Sequence, residues 1–252
     1  MNEFLRNLLS DRKEGELFRC FGFWHFFYIF LALTAIVILA LLLRGRGEMA
    51  RKKAATVVIS VAFGLYVADF FLMPLAYGEI DVEKLPFHVC TATCVMCFLS
   101  RFVPVLRRLR VHFALLGFIS NLVYLIYPAG VMWHAVGPAS YRVIQTLLFH
   151  AIMTVYGFLV LAFDERLRIK NCYKDLLVVV GMTLWAMLGN AAYNGTGGRV
   201  FNWFFVVGDP FGLFPEQAAP FIMPPLNIAL FFAVELCIYG VIQLLRGRHE
   251  KS

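Results

Sequence analysis

Charge is what this sequence is short of. Asp, Glu, Lys and Arg make up 15% of its 252 residues, where a soluble domain carries about 25%. That scarcity excludes a soluble globular fold, whose exterior has to be wetted by polar side chains. Cysteine is present but badly placed for bridging. Cys20, Cys90, Cys94, Cys97, Cys172 and Cys237 lie mostly in or beside apolar stretches, which argues against a disulfide framework. A cleavable leader is not evident, because the first strongly apolar run starts only near Phe21 and has the length of a retained span. No internal repeat is visible, which argues against a carrier built from inverted halves. There is no soluble-cofactor motif, and the Cys90, Cys94 and Cys97 stripe lacks a second ligand pair. Neither cofactor nor metal is therefore expected. No nucleic-acid-binding motif accompanies the net charge of +7.

What the chain has in excess is apolar, at 61% of residues with a mean hydropathy of +0.74. The apolar residues run continuously rather than alternating, so the runs are helices and not barrel strands. A crossing needs about 20 such residues. The runs predict spans at Gly22–Leu43, Ala54–Pro74, Leu85–Val103, Val111–Pro128, Ser140–Phe163, Asp175–Tyr193 and Phe221–Leu245. The expected class is an all-α polytopic membrane protein with seven transmembrane helices in a single domain over 21–246. An amphipathic segment, 1–20, precedes it and a short tail, 247–252, follows.

The basic residues set the orientation, because Lys and Arg concentrate on the cytoplasmic side. Arg44, Arg46, Arg51, Lys52 and Lys53 follow the first span. Arg101, Arg107, Arg108 and Arg110 follow the third, and Arg166, Arg168, Lys170 and Lys174 the fifth. Arg246, Arg248 and Lys251 end the chain. The opposite loops hold only Lys84, Arg142 and Arg199. The N-terminus is therefore expected outside and the C-terminus in the cytoplasm. Arg6, Arg12, Lys13 and Arg19 dissent, but four acids dilute them. With Phe4, Leu5, Leu8 and Leu9 at helical spacing, 1–20 reads as a helix on the outer surface or as a disordered lead.

The long outer loop, 194–220, opens with Asn194-Gly195-Thr196, a sequon better read as a plain turn. It then becomes apolar from Phe201 to Val207, which predicts a segment folding back onto the outer face. Such backbone is tolerated only where it is buried in protein or lines a cavity.

Polar groups inside a bilayer are costly, so their depth carries information. Asp69, His88, Cys90, Thr91, Asn121, Tyr124, Gln145, His150 and Asn190 fall in the outer halves of their spans. His25 opens the first span, Asp209 lies in the outer loop, and Glu235 sits near mid-span. The bias predicts a polar cavity open to the outer leaflet. Interhelical hydrogen bonding is the better reading of any one of these residues alone, but for the group the cavity gains, because such bonding has no reason to prefer one leaflet. Pro86 suits the first turn of a helix, which puts Cys90 near an N-terminus that stabilises a thiolate. On a regular helix His88 and Cys90 point to nearly opposite sides, so a base for Cys90 is sought on another span, and His150 is the candidate. The bland reading of Cys90 is a small buried hydrophobe.

Leu85-Pro86-x-His88-x-Cys90, His150 and the Asn-aromatic stretch leading to Asp209-Pro210 resemble the YwaF-like integral membrane proteins of bacteria. The matching elements span residues 85 to 210, and the seven-span layout agrees over nearly the whole chain. That family is distantly similar to a vertebrate multispan protein regarded as a cysteine-dependent acyltransferase that makes ether phospholipids. The vertebrate protein has Pro-Cys-His at the start of its third span, a histidine in its fifth and Asp-Pro-Phe before its last. Aligned on proline and histidine, its cysteine falls on Phe87. Positions 87, 90 and 91 share one side of a helix, so Cys90 or Thr91 presents a nucleophile near the same place.

The resemblance and the outward polar cluster together imply a lipid acyltransferase or hydrolase in a bacterial cytoplasmic membrane, with membrane lipid as partner. Cys90 would be the nucleophile, His150 the base and Asp209 the group orienting it. His88, Thr91, Asn121, Tyr124, Gln145 and Asn190 would contact substrate. The alternatives are a carrier of a small polar or lipid-like solute, with Asp69 and Glu235 on an ion or proton path, and a seven-helix ligand sensor.

Overall fold

A computed structural model describes residues 9, 16–78, 82–132, 134–163, 167–194 and 200–249. Eight helices can be followed along these residues: α1 (Phe23–Arg44), α2 (Glu48–Tyr77), α3 (Val89–Leu99), α4 (Pro104–Ile126), α5 (Ala129–Met132), α6 (Tyr141–Phe163), α7 (Cys172–Tyr193) and α8 (Ala219–His249). Short 3-10 turns occupy Val82–Lys84, Ile169–Asn171 and Trp203–Phe205, and no strand occurs among the described residues. Most of the expected amphipathic segment, 1–20, lies outside the described residues, as do Gly195 and Thr196 of the sequon.

Among the described residues, six helices are long and apolar enough to cross a membrane: α1, α2, α4, α6, α7 and α8. The third expected span, Leu85–Val103, forms instead the shorter apolar helix α3 of 11 residues. At 1.5 Å per residue it rises about 16 Å, against a hydrocarbon core of about 30 Å. The reason lies at its ends. The chain turns at Pro86-Phe87 before helix starts at Val89, with His88 in extended backbone as the N-cap. Beyond Leu99 the amides of Phe102 and Val103 both fold back to the Leu99 carbonyl. Pro104 then begins α4, and a residue preceding proline resists helical torsions. An apolar run of the right length thus holds a helix half as long.

The chain divides into two compact units, Met1–Lys84 with Ser120–Phe163, and Leu85–Ile119 with Asp164–Ser252. In the first unit α6 packs against both α1 and α2. It buries Val143, Leu147, Ala151, Val155 and Leu159 among other residues. Leu147 and Ala151 join a core with Ala32, Leu125 and Val136, and Val155 and Leu159 join Leu43 in a second. The outward face of α1 is apolar, with Phe23 74% and Phe30 65% exposed, as a lipid-facing helix requires. His25 is fully buried at the head of α1. Its Nδ1 accepts from the Phe21 amide at 2.9 Å and its Nε2 donates to the Leu125 carbonyl at 2.6 Å. In the second unit α7 packs against α8, α3 and the Trp203–Phe205 turn.

Seven crossings, with the outside N-terminus expected from charge, require the segment 85–103 to traverse the bilayer through α3 and its flanks. Single cysteines at the exposed positions Met49, Phe102 and Leu213, in a chain stripped of its own cysteines, test this in intact cells. A membrane-impermeant maleimide is expected to label position 213 from outside, and positions 49 and 102 only after permeabilisation. External labelling at 102 would mean that the segment turns back without crossing.

Candidate functional site

The predicted site residues fall in both units, and each unit is described by itself. In the first, α6 presents His150 with its ring stacked on Tyr124 of α4, centroids 3.8 Å apart and planes 12° apart. The Phe149 ring meets it edge-on at 5.3 Å. His150 Nδ1 lies 2.7 Å from the Thr146 carbonyl one turn earlier. A carbonyl only accepts, so Nδ1 carries the proton and Nε2 of the neutral ring carries the lone pair. The stack needs Gly130, because a Cβ there would meet the Tyr124 hydroxyl at 2.9 Å. Asn121 is buried one turn before Tyr124, and Gln145 is buried with its Oε1 accepting from Thr146 Oγ1 at 3.3 Å.

Asp69, expected on an ion or proton path, has its carboxylate engaged within the same unit. Tyr141 donates its hydroxyl to Oδ1 at 2.6 Å, and Lys84 Nζ lies 3.1 Å from Oδ2. Tyr66 donates to the Lys84 carbonyl at 2.9 Å. A buried carboxylate paired in this way is neutralised where it stands, and it ties α2 to α6 and to the Val82–Lys84 turn.

In the second unit Cys90 is the second residue of α3 and half-buried, while Cys94 and Cys97 on the same stripe are fully buried. Thr91 donates its hydroxyl to the His88 carbonyl at 3.0 Å. Because the helix begins at Val89, His88 and Phe87 precede it. Helical spacing therefore does not relate them to Cys90, contrary to the expectation drawn from sequence. The Phe87 ring packs among Trp203 at 5.0 Å, Trp185 at 5.1 Å and Tyr193 at 6.0 Å. It lies so close to Gly189 that any Cβ there would collide with it. Trp185 Nε1–H donates to the Pro86 carbonyl at 2.6 Å. The turn that sets the start of α3 is thus held by α7.

The apolar part of the long loop is built into this unit. Phe201, Trp203 and Phe204 are buried, with Phe204 and Phe205 at φ 57° and 51°. Such backbone lies off the ladders that satisfy a helix, and asparagine amides take the place of the missing partners. Asn190, expected as a substrate contact, accepts from the Trp203 amide at 3.0 Å and donates to the Trp203 carbonyl at 3.1 Å. Asn194 does the same for Phe201 at 2.6 and 3.0 Å. Asn202 closes the turn onto Val207 and Gly208, and Asn227 of α8 donates to the Phe204 carbonyl at 2.7 Å. Asp209, expected to orient His150, accepts from the amides of Phe211, Leu213 and Phe214 in its own loop. Desolvation acts to raise its pKa, but the amides of Phe211, Phe214, Leu213 and Gly212 outweigh it and hold the carboxyl below its usual range.

Of one polar cluster, sequence reasoning singled out Glu235 alone and passed over its companions. His112 Nδ1 lies 2.6 Å from Asp175 Oδ1, and Tyr239 donates its hydroxyl to Asp175 Oδ2 at 2.6 Å. All three are buried, together with Glu235 one helical turn before Tyr239. His112 and Asp175 sit at the edges of their predicted spans, where a polar residue draws no notice. The available signal was the i, i+4 spacing of Glu235 and Tyr239.

Two local predictions follow from these contacts. Asn190→Ala orphans both backbone groups of buried Trp203, each at about 1–3 kcal/mol, and should lower the unfolding temperature in detergent far more than Asn202→Ala at the half-buried turn. An equal effect of the two would contradict the clamp. Asp209 stabilises its loop as the anion, so protection is present above the ordinary carboxyl range and is lost as pH falls through its depressed titration. Amide exchange at Phe211, Leu213 and Phe214 should accelerate in acid and in Asp209→Asn at neutral pH.

Comparison with the curated proteins and with the solved structures finds no match. The family comparison does. A family of multi-span membrane proteins matches residues 20–243, from the turn ahead of α1 into α8, and so covers both units and every candidate residue above. The chain belongs to the TMEM164 family.

Proposed function

We propose that this protein is a membrane-embedded acyltransferase that moves an acyl chain between lipids through a thioester on Cys90, with His150 as the imidazole base. The reading places the work in the outer leaflet of a bacterial cytoplasmic membrane. It draws on the resemblance of residues 85–91, His150 and Asp209-Pro210-Phe211 to the YwaF-like proteins and to a vertebrate cysteine-dependent acyltransferase. The observation that carries it is the position of Cys90 as the second residue of α3. The first amides of a helix have no acceptor within it, so negative charge on a thiolate, and then on the carbonyl oxygen of a tetrahedral intermediate, meets donors already in place. His150 is supported independently within its own unit, since the Thr146 carbonyl fixes a proton on Nδ1 and so sets the orientation of the ring.

In the first step the Cys90 thiol gives its proton to an imidazole and the sulfur attacks the ester carbonyl of a donor lipid. The C–S bond forms, the ester C–O bond breaks, and the leaving lysolipid oxygen takes the proton from the imidazolium. In the second, the hydroxyl of an acceptor lysolipid attacks the thioester and its proton passes to the imidazole. The C–S bond then breaks and regenerates the thiol. Tyr124 acts as a positioning residue through its stack on His150. His88, Thr91, Asn121 and Gln145 are the polar groups offered to headgroup and glycerol oxygens.

A second reading, a carrier of a small polar or lipid-like solute, is favoured by one observation, the fully buried Glu235. The test that separates the two is incubation of the protein in nanodiscs with an acyl-labelled phospholipid, followed by peptide mapping. The acyl-enzyme is expected on Cys90, released by hydroxylamine, absent in Cys90→Ala, and formed about 10²–10⁴-fold more slowly in His150→Ala. Label on another residue, or unchanged labelling in Cys90→Ala, would sink the assignment.

A further inference from the structure

The cluster of His112, Asp175, Tyr239 and Glu235 lies in the second unit, well away from Cys90. Asp175 is in the first turn of α7, and Gly189, which abuts Phe87, is near its last. Fourteen residues of helix separate them, about 21 Å. The cluster therefore needs its own account.

Its members are not equivalent. Asp175 is buried but fully answered, with His112 on one carboxylate oxygen and the Tyr239 hydroxyl on the other. That arrangement suits an ionised carboxylate. Glu235 is 0% exposed, and neither of its carboxyl oxygens has a hydrogen-bond partner among the described residues. The charged neighbour that acts on it is a second acid, Asp175. The other titratable groups around the cluster are His112 on α4, Cys172 on α7 and Tyr239 on α8, while α3, which also packs on α7, brings buried Cys94 and Cys97. No group of three or more metal-ligating side chains occurs among the described residues.

We propose that Glu235 is a proton-binding site, in which a carboxyl deep in the second unit carries its proton at neutral pH beside the ionised Asp175 that His112 and Tyr239 hold in place. A bare carboxylate buried without donors, facing another carboxylate, is far costlier than a neutral acid. Paired acids whose surroundings differ in this way divide into one charged and one protonated partner. The ligand is the proton itself, and the bond formed is O–H on the Glu235 carboxyl. Asp175 stands in the first turn of α7, next to Lys174, and His112 reaches it from the third turn of α4. This assignment does not depend on acyl transfer at Cys90.

Infrared spectroscopy of the full-length protein in nanodiscs reads the proton directly. At pH 7 the wild type should show a carboxylic-acid C=O stretch that shifts in D2O. The band should survive in Asp175→Asn and vanish in Glu235→Gln. No band at pH 7, or a band that persists in Glu235→Gln, would overturn the proposal. Glu235 is the only glutamate buried among the described residues. Should Glu235→Gln fail to fold, wild type carrying 13C-carboxyl glutamate therefore answers the same question: a band displaced by the isotope supports the site, and an undisplaced one overturns it. Acyl transfer measured in the same samples fails or succeeds separately, through Cys90.

Discussion

Every backbone amide and carbonyl placed in hydrocarbon has to find a partner inside the protein, and the rest of this structure depends on how that requirement is met. Six long helices meet it within themselves. The segment from Phe201 to Gly208 cannot, because Phe204 and Phe205 take positive φ and break the ladder. Asn190, Asn194 and Asn202 supply what is missing, each offering the paired donor and acceptor that a peptide unit would, and Asn227 adds a donor to the Phe204 carbonyl. The buried Trp203, anchored in this way, is part of the aromatic packing around Phe87, which precedes the start of α3. The position of Cys90 thus rests on a chain of backbone satisfaction that begins in a loop more than a hundred residues away.

Hydropathy made the six long helices legible, since each apolar run falls nearly within one helix where no turn interrupts it, although α2 and α4 begin well ahead of their runs, at Glu48 and Pro104. It misread residues 85–103, because the turn at Pro86-Phe87 and the stop after Leu99 are written in apolar residues that keep the run intact. The polar residues were legible as polar and as buried, but not in their partners. Asn190 carries the same signal whether it faces a lipid headgroup or the Trp203 backbone. Asp209 reads equally well as an orienting carboxylate or as the cap of its own loop. His150 came closest: its span and its company with Tyr124 were both within reach, and only the tautomer needed the Thr146 carbonyl. His112 and Asp175 were hidden by lying at span edges, where charge is ordinary.

The two units distribute chemistry unevenly. The first neutralises its acid, with Asp69 held between Lys84 and Tyr141, and presents an imidazole of defined tautomer. The second holds a thiol at one end of α7 and an unanswered carboxyl near the other. A protein in lipid retains a buried carboxyl of this kind at a cost in stability, which favours a working role over packing for Glu235.

The central claim, that Cys90 is a reactive thiol served by His150, is tested most directly by its alkylation. A chain retaining Cys90 alone, in intact membranes, would be titrated with a thiol reagent from the outside across pH. The account predicts fast labelling whose pH profile is altered in His150→Ala. Labelling absent in the folded protein, or an ordinary profile indifferent to His150, would contradict it and leave Cys90 as packing.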